Sequence, residues 1–262
     1  MSEWLLNKSF VIVGGTAGMG LSAALACIKE GAKVVVVGKN AEHVEEAQKQ
    51  LGDNGLVKTG DATNETTAEE AIQACVNTFG SFDGIYHVAG GSGRRFGDGP
   101  LHEITLEGWE KTLRINLTSL MLSNRAAIKH FMENNRAGVI LNISSILGFS
   151  PSPKFFATHT YAAAKSAVVG FSKSIAAYYA PYNIRVNVIV PSLIETPMSQ
   201  RAVHDDAIME FIKTKQPLDG GRIGMPGDVD GAAVFLLSDH ARFVTGQVVA
   251  VDGGWSISEG QY

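Results

Sequence analysis

Short, almost uninterrupted apolar runs rich in β-branched residues recur along this chain and alternate with segments of helical periodicity. Such runs are typical of strands buried on both faces of a parallel sheet. The pattern predicts seven strands, at residues 10–13, 33–37, 56–59, 84–88, 139–143, 184–189 and 247–251. Between them, apolar positions at helical spacing predict helices, of which the clearest span residues 20–30, 41–51, 65–79 and 161–179.

Strand and helix alternate from one end of the chain to the other, which predicts the α/β class. The specific expectation is a Rossmann-like doubly wound fold, with a seven-stranded parallel sheet flanked by helices on both faces. The chain has no repeat, low-complexity tract or linker-like change of composition. We therefore predict a single domain over residues 1–262 for dinucleotide binding and catalysis.

Composition narrows the possible partners. Apolar residues make up 45% of the 262 residues, enough for a sizeable core, and the net charge of −4 leaves no basic excess for nucleic acid. No apolar run reaches the ~18 residues of a membrane span, and the first residues lack a secretory signal, so we expect a cytoplasmic protein. Cys27 and Cys75 lack metal-type spacing, and no metal site is predicted.

A glycine-rich segment, Gly14-Gly-Thr-Ala-Gly-Met-Gly20, separates the first predicted strand from the first predicted helix. Glycines let the backbone turn sharply and approach a phosphate, and the following helix offers unpaired N–H groups at the positive end of its dipole. No Gly-Lys-Ser/Thr follows, so the segment is not a triphosphate loop. We predict a dinucleotide site contacted by Gly14, Thr16, Gly18, Met19 and Gly20.

The end of the second predicted strand indicates which dinucleotide binds. An acidic residue there would hydrogen-bond the ribose 2′-hydroxyl of NAD, but the strand ends in Val37-Gly-Lys-Asn40. A lysine attracts the 2′-phosphate of NADP, which a carboxylate would repel. The sequence thus favours NADP(H), with Lys39 and Asn40 as contacts. The alternative is a solvated Lys39 and a preference for NAD(H).

Tyr161 and Lys165 are four residues apart on a predicted helix, so both side chains share one face. An ammonium near a phenol favours the phenolate and lowers the phenol pKa from about 10. The pair therefore predicts a general acid/base. Without other motifs, the same spacing would be typical of an ordinary exposed helix face.

Together with the glycine segment, these residues make the chain similar to the short-chain dehydrogenase/reductase family over essentially its whole length. The matching positions, in order, are Gly14, Gly18, Gly20, Asp61, Ala89, Gly90, Asn116, Ser145, Tyr161, Lys165, Thr196 and the segment 251–254. Some positions depart from the family pattern. Val13 replaces the usual Thr, His87 and Val88 replace two asparagines, and Ser192 replaces a glycine.

The resemblance implies hydride transfer between a nicotinamide cofactor and a carbonyl or alcohol. It implies that Tyr161 donates or removes the proton on the substrate oxygen, while Ser145 orients that oxygen. Ser144 is the alternative register for this serine. It further implies that Lys165 binds the nicotinamide ribose and lowers the Tyr161 pKa, and that Asn116 holds a proton-relaying water.

The resemblance also implies the remaining cofactor contacts and the assembly. Asp61 would meet the adenine amino group, and Thr196 the nicotinamide carboxamide. Further contacts are assigned to Ala62, Ala89, Gly90 and Ile194. Family members typically form tetramers, and the alanine-rich helix of Tyr161 offers a small-residue surface for close packing. We expect a homotetramer, or else a dimer.

Two long loops follow predicted strands at their carboxyl ends, where open α/β sheets bind ligands. Arg94 and Arg95 lie in the first loop and His159 in the second. An arginine fork binds a carboxylate or phosphate, so these residues are the candidate substrate contacts. Solvated arginines and a structural histidine are the alternatives.

We therefore predict an NADP(H)-dependent oxidoreductase that interconverts the carbonyl and the secondary alcohol of a small molecule. The alternatives are an NAD(H)-preferring alcohol or sugar dehydrogenase of the same fold and a catalytically silent dinucleotide-binding regulator. The presence of both Tyr161 and Lys165 disfavours the regulator. A fold does not determine a substrate, so acyl thioesters, sugars, steroids and small ketones all stay open, as does the direction of the reaction.

Overall fold

The computed structural model describes residues 3–260 and contains one seven-stranded sheet. Every neighbouring pair of strands is parallel, in the order β3-β2-β1-β4-β5-β6-β7. The strands are β1 (Ser9–Val13), β2 (Lys33–Gly38), β3 (Gly55–Thr59), β4 (Gly84–His87), β5 (Gly138–Ile143), β6 (Ile184–Pro191) and β7 (Val248–Val251). Each predicted run coincides with one strand apart from its terminal residues, so the predicted sheet is confirmed.

Helices connect the strands and cover the sheet. They are α1 (Gly18–Lys29), α2 (Ala41–Leu51), α3 (Thr67–Phe79), α4 (Leu106–Leu113), α5 (Ser119–Glu133), α6 (His159–Tyr179), α7 (Gln200–Val203), α8 (Asp206–Lys215) and α9 (Pro226–Leu237). The four helices predicted from periodicity are α1, α2, α3 and α6. Within residues 3–260, no helix is both long enough and apolar enough to cross a membrane.

The two faces of the sheet are buried separately, which explains the continuous apolar runs. Successive strand residues point to opposite faces. Phe10 and Ile12 of β1 lie in an apolar cluster with residues of α1 and α9, whereas Val11 and Val13 lie in a second cluster with residues of α3 and α5. Helices therefore cover both faces, as the doubly wound fold requires.

The order of the strands reverses between β1 and β4, which are neighbours in the sheet. In open α/β sheets this reversal creates a crevice at the carboxyl ends of the strands, where ligands bind. The segments that follow β1 and β4 contact each other here. Val88 and Ala89 both donate a backbone N–H to the Val13 carbonyl at 2.8 Å, and a Cβ on Gly14 would lie 2.5 Å from the Ala89 nitrogen.

Candidate active site

A cavity of about 780 Å³ opens along this edge of the sheet. Its lining runs from Lys39 and Asp61, which follow β2 and β3, to Ser145 and Thr196, which follow β5 and β6. The volume lies in the usual range for small-molecule and cofactor sites. The predicted site residues that line it are Gly14, Thr16, Met19, Lys39, Asn40, Asp61, Ala62, Ala89, Gly90, Arg94, Arg95, Ser145, Tyr161, Lys165, Ile194 and Thr196.

Gly18 and Gly20 shape the glycine turn without lining the cavity. Gly18 has a φ of 52°, a backbone conformation that favours glycine. A Cβ on Gly20 would lie 2.1 Å from the Gly14 carbonyl oxygen, so only glycine closes the turn at this position. Gly14 and Gly15 anchor the turn by donating their N–H groups to the Val37 carbonyl at 2.8 and 3.1 Å.

The N-terminus of α1 fits the pyrophosphate of a dinucleotide. Its N-cap residue is Ala17, which has no side chain that caps the helix, and the first turn contains no acidic residue. The first N–H groups of a helix need acceptors from outside it, and an anion at the positive end of the helix dipole supplies them. The residues present therefore fit the predicted cofactor.

Lys39 and Asp61 form an ion pair at the end of the cavity that follows β2 and β3, with Nζ 3.6 Å from Oδ2. Burial opposes ionisation of Asp61, but hydrogen bonds from Thr63 and the charge of Lys39 lower its pKa overall. Asn40 caps α2, its side chain accepting the N–H of His43 at 3.1 Å. Lys39 therefore lies beside the positive end of a helix, a favourable position for a phosphate.

The two adjacent serines after β5 have different partners. Ser144 donates its hydroxyl to the Lys165 carbonyl at 2.6 Å, which holds it against α6. The Ser145 hydroxyl acts on the Tyr161 phenol in the direction of a lower pKa. Both serines line the cavity, but only the Ser145 hydroxyl acts on the predicted acid/base in this way. The geometry thus favours Ser145 over the alternative register.

The pKa of Tyr161 differs from the sequence expectation. Burial raises the phenol pKa above its usual value, and the hydrogen bond with Ser145 only partly opposes this effect. The Lys165 Nζ lies 5.6 Å from the centroid of the Tyr161 ring and donates to the Ile143 carbonyl at 3.2 Å. Burial also lowers the pKa of Lys165 to about 8. The expected lowering of the Tyr161 pKa was wrong for the protein alone, because burial raises this pKa by more than the Ser145 hydroxyl lowers it.

Asn116 lies beneath the site instead of lining the cavity. It is buried in a π-helical stretch, Arg114–Thr118, between α4 and α5. Its side chain accepts the N–H of Gly91 at 3.1 Å and donates to the carbonyls of Gly91 and Thr112, both at 2.9 Å. This side chain fixes the turn after β4, and the predicted proton-relaying water stays a prediction.

His87 occupies the place of a family asparagine and is completely buried. Its ring nitrogens contact the hydroxyls of Ser123 at 2.9 Å and Ser119 at 3.4 Å. Burial and the nearby charge of Lys165 lower its pKa to about 3. The imidazole is therefore neutral and links β4 to α5 by hydrogen bonds.

Asp98 is a residue that the sequence analysis missed. It is buried in the loop between β4 and α4, and its carboxylate accepts the N–H groups of Thr160 at 3.0 Å and Tyr161 at 2.9 Å. These are first-turn amides of α6, whose N-cap residue Thr158 makes no side-chain cap. The loop therefore anchors the helix that carries Tyr161.

The three candidate substrate contacts lie in different surroundings. Arg94 donates to the Phe155 carbonyl at 3.2 Å, and Arg201 of α7 donates to the same oxygen, also at 3.2 Å. Arg95 lies over the Phe96 ring, 4.6 Å from its centroid. His159 is exposed and does not line the cavity. Arg201, which the sequence analysis missed, does line it.

Comparison with known proteins gives one match to a family and several to individual relatives. A family described as enoyl-(acyl carrier protein) reductase matches residues 14–256. The chain is 35% identical over 261 residues to 2-(S)-hydroxypropyl-CoM dehydrogenase 3 of Xanthobacter autotrophicus, which covers 97% of this chain and 98% of that relative. It is also 35% identical over 258 residues to the 3-oxoacyl-acyl-carrier-protein reductase FabG of Chlamydia trachomatis, covering 97% and 99%.

Solved structures with the same fold include named dehydrogenases and reductases. A short-chain type dehydrogenase/reductase from Mycobacterium ulcerans superposes with a TM-score of 0.86 at 29% identity, covering 97% of this chain and 91% of the other. Levodione reductase superposes with a TM-score of 0.85 at 29% identity, covering 96% and 98%.

Proposed function

This chain belongs to the short-chain dehydrogenase/reductase family and is an oxidoreductase acting on CH–OH or C=O groups. We propose that it is an NADP(H)-dependent enzyme that interconverts a carbonyl and a secondary alcohol, with Tyr161 as general acid/base. The observation that carries the proposal is the grouping of Tyr161, Ser145 and Lys165 in one cavity. That cavity also contains a glycine turn next to an uncapped helix N-terminus.

Each of the three side chains has a distinct task. In the reductive direction Tyr161 gives its proton to the carbonyl oxygen, and in the oxidative direction it removes the alcohol proton. Ser145 donates a hydrogen bond to the substrate oxygen and stabilises the charge that develops there. The Lys165 ammonium binds the ribose and favours the ionised phenol. When bound, the nicotinamide supplies or accepts the hydride.

The preference for NADP(H) rests on Lys39 and its neighbours. Its side chain is 60% exposed and pairs with Asp61 at 3.6 Å, an interaction that is weak at a surface and leaves the ammonium available to a phosphate. Asn40 and the N-terminus of α2 lie next to it along the chain. No carboxylate occupies the end of β2, where an NAD-specific site would place one.

We also propose that the protein assembles as a homotetramer. Large apolar side chains remain exposed on the single chain, including Phe243, which is fully exposed, and Ile257, which is 88% exposed. Exposed apolar surface of this kind is typical of subunit interfaces. Sedimentation equilibrium distinguishes the proposed tetramer from a dimer or a monomer.

A panel of carbonyl compounds and secondary alcohols, assayed with each nicotinamide cofactor, tests the proposed function. The absorbance of the reduced cofactor reports turnover in either direction. We expect carbonyl reduction with NADPH and a lower kcat/KM with NADH. An enzyme that prefers NADH would refute the cofactor proposal, and a protein that binds the cofactor without turning over any compound would support the silent regulator.

A further inference from the structure

Two arginines from distant parts of the chain converge at the substrate end of the cavity. Arg94 lies in the short helical turn Gly93–Phe96 after β4, and Arg201 lies in α7 after β6. Both line the cavity that contains Tyr161. Their guanidinium groups share one acceptor, the carbonyl oxygen of Phe155, which each approaches to 3.2 Å. Arg94 and Arg201 are called the arginine pair below.

The arginine pair has no carboxylate counter-ion within the described residues. Neither guanidinium is among the groups that form ion pairs there, whereas Arg222 pairs with both Asp219 and Asp228. The acidic residue whose charge raises the pKa of Arg94 is Asp98. Both carboxylate oxygens of Asp98 already accept backbone N–H groups of α6. Burial and the charge of Arg201 lower the pKa of Arg94, despite this carboxylate.

A neutral carbonyl is a weak partner for two cations held together. Hydrogen bonds between a guanidinium and a carboxylate or phosphate are shorter and roughly twice as strong as neutral ones, and they can be bidentate. An oxyanion placed between the two guanidinium groups would therefore relieve their repulsion and replace the shared carbonyl. The pair has the charge and the donors of an anion site, and it lies in the cavity of the proposed reaction.

We propose that Arg94 and Arg201 form an anion-binding subsite that selects carbonyl and alcohol substrates carrying a carboxylate, sulfonate or phosphate. This inference rests on the proposed function, because it assigns the second end of the substrate for the same reaction. Arg95 is not part of the pair, because the guanidinium groups that share the Phe155 carbonyl are those of Arg94 and Arg201. The Arg95 guanidinium lies over the Phe96 ring, and that of Arg201 also lies 5.9 Å from the centroid of the Phe156 ring. The aromatic side chains of Phe156 and Trp255 also line the cavity and offer an apolar wall for the carbon chain between the two ends.

The first test compares charged substrates with their neutral counterparts. Oxo acids, oxo sulfonates and oxo phosphates of increasing chain length are each assayed beside the corresponding methyl ester, in the wild type, Arg94→Ala and Arg201→Ala. We expect the wild type to favour a charged compound over its ester at least about tenfold in kcat/KM. Each substitution should remove most of that ratio through a higher KM for the charged compound.

Arg125→Ala serves as the control, because it removes the same charge from an exposed site on α5, where Arg125 pairs with Glu65. The control should keep the wild-type ratio. A wild type that prefers the neutral esters, or a ratio that survives in both arginine variants, would overturn the anion subsite. The charged group of the best substrate identifies which oxyanion the arginine pair binds, and the length of that substrate indicates the distance between the pair and the reacting carbonyl.

A binding measurement separates failure of this inference from failure of the proposed function. Phenylphosphonate carries the anion but no carbonyl, and calorimetry reports its affinity for the protein saturated with NADP⁺. We expect wild-type binding to weaken at least about tenfold in both arginine variants and to persist in Arg125→Ala. Equal affinity in all four proteins would refute the subsite. Absence of turnover with binding intact would refute the proposed function alone.

Discussion

At the scale of single residues, the proposed preference for NADP(H) depends on Lys39, which forms an ion pair with Asp61. Lys39→Asp would remove the cation that we propose meets the 2′-phosphate and would place a second carboxylate beside Asp61. We expect the ratio of kcat/KM for NADP over NAD to fall at least about tenfold, roughly 1.4 kcal/mol. Steady-state kinetics with each cofactor, at low and high salt, measures this ratio.

Two further variants separate the causes of that change. Lys39→Gln removes the cation without adding a carboxylate, so it should show a smaller loss than Lys39→Asp. Lys49→Asp reverses the charge of a lysine on α2 that pairs with Glu45 outside the cavity, and should leave the ratio unchanged. If Lys39→Asp and Lys49→Asp lower this ratio equally, the preference depends on the overall charge of the protein and not on a contact between Lys39 and the phosphate.

Lys165 gives the reaction a predictable dependence on pH. Burial lowers its pKa to about 8, so the ammonium prevails below that pH and the neutral amine above it. Tyr161 stays protonated over this range because burial raises its pKa. We expect kcat/KM for carbonyl reduction to be level at lower pH and to fall as the pH rises through about 8. A profile that stays level up to about pH 10 would contradict this role of the ammonium.

At the scale of elements, the position of Tyr161 depends on a loop carboxylate that lies far away in the sequence. Asp98→Ala would leave the N–H groups of Thr160 and Tyr161 without their acceptor. Loss of a helix cap costs about 0.5–2 kcal/mol, and we expect kcat to fall as well because the phenol is held less firmly. Urea unfolding and steady-state kinetics measure the two effects.

The control is Asp205→Ala, which removes an aspartate cap from α8, a helix without cavity residues. It should destabilise the protein by a similar amount and leave kcat near the wild-type value. Asp98→Asn keeps one side-chain acceptor and should recover part of the lost activity. If Asp98→Ala and Asp205→Ala affect kcat equally, the loop carboxylate has no specific role in placing Tyr161.

The local sequence pattern was sufficient to predict most of the sheet and to find most of the motif residues that line the cavity. Strands such as 33–38 and 139–143 are buried on both faces, so their β-branched runs stand out in the sequence. Asp98 and Arg201 carry no such signal, because their partners at residues 160–161 and 155 are distant along the chain. The pKa of Tyr161 was also beyond sequence reasoning, since the burial that raises it depends on the folded structure.

At the scale of the whole molecule, the parallel sheet brings residues from distant parts of the chain together at one edge. The reversal of strand order between β1 and β4 opens the crevice, and the glycine turn lies next to it. The connections after β5 and β6 bring Ser145 and Arg201 into the same cavity. We propose that this arrangement serves proton transfer by Tyr161 in a nicotinamide-dependent reaction.

The most direct test compares kcat and the affinity for NADPH in the wild type, Tyr161→Phe and the control Tyr178→Phe, an exposed tyrosine on the same helix. Removing the phenolic hydroxyl should lower kcat by about 10²–10⁴-fold, the usual contribution of general acid/base catalysis. The cofactor Kd should stay within about twofold of the wild type, since the ring remains and the glycine turn that we propose holds the pyrophosphate is unchanged. Tyr178→Phe should behave as the wild type. A Tyr161→Phe enzyme that retains more than about a tenth of the wild-type kcat would show that Tyr161 is not the general acid/base.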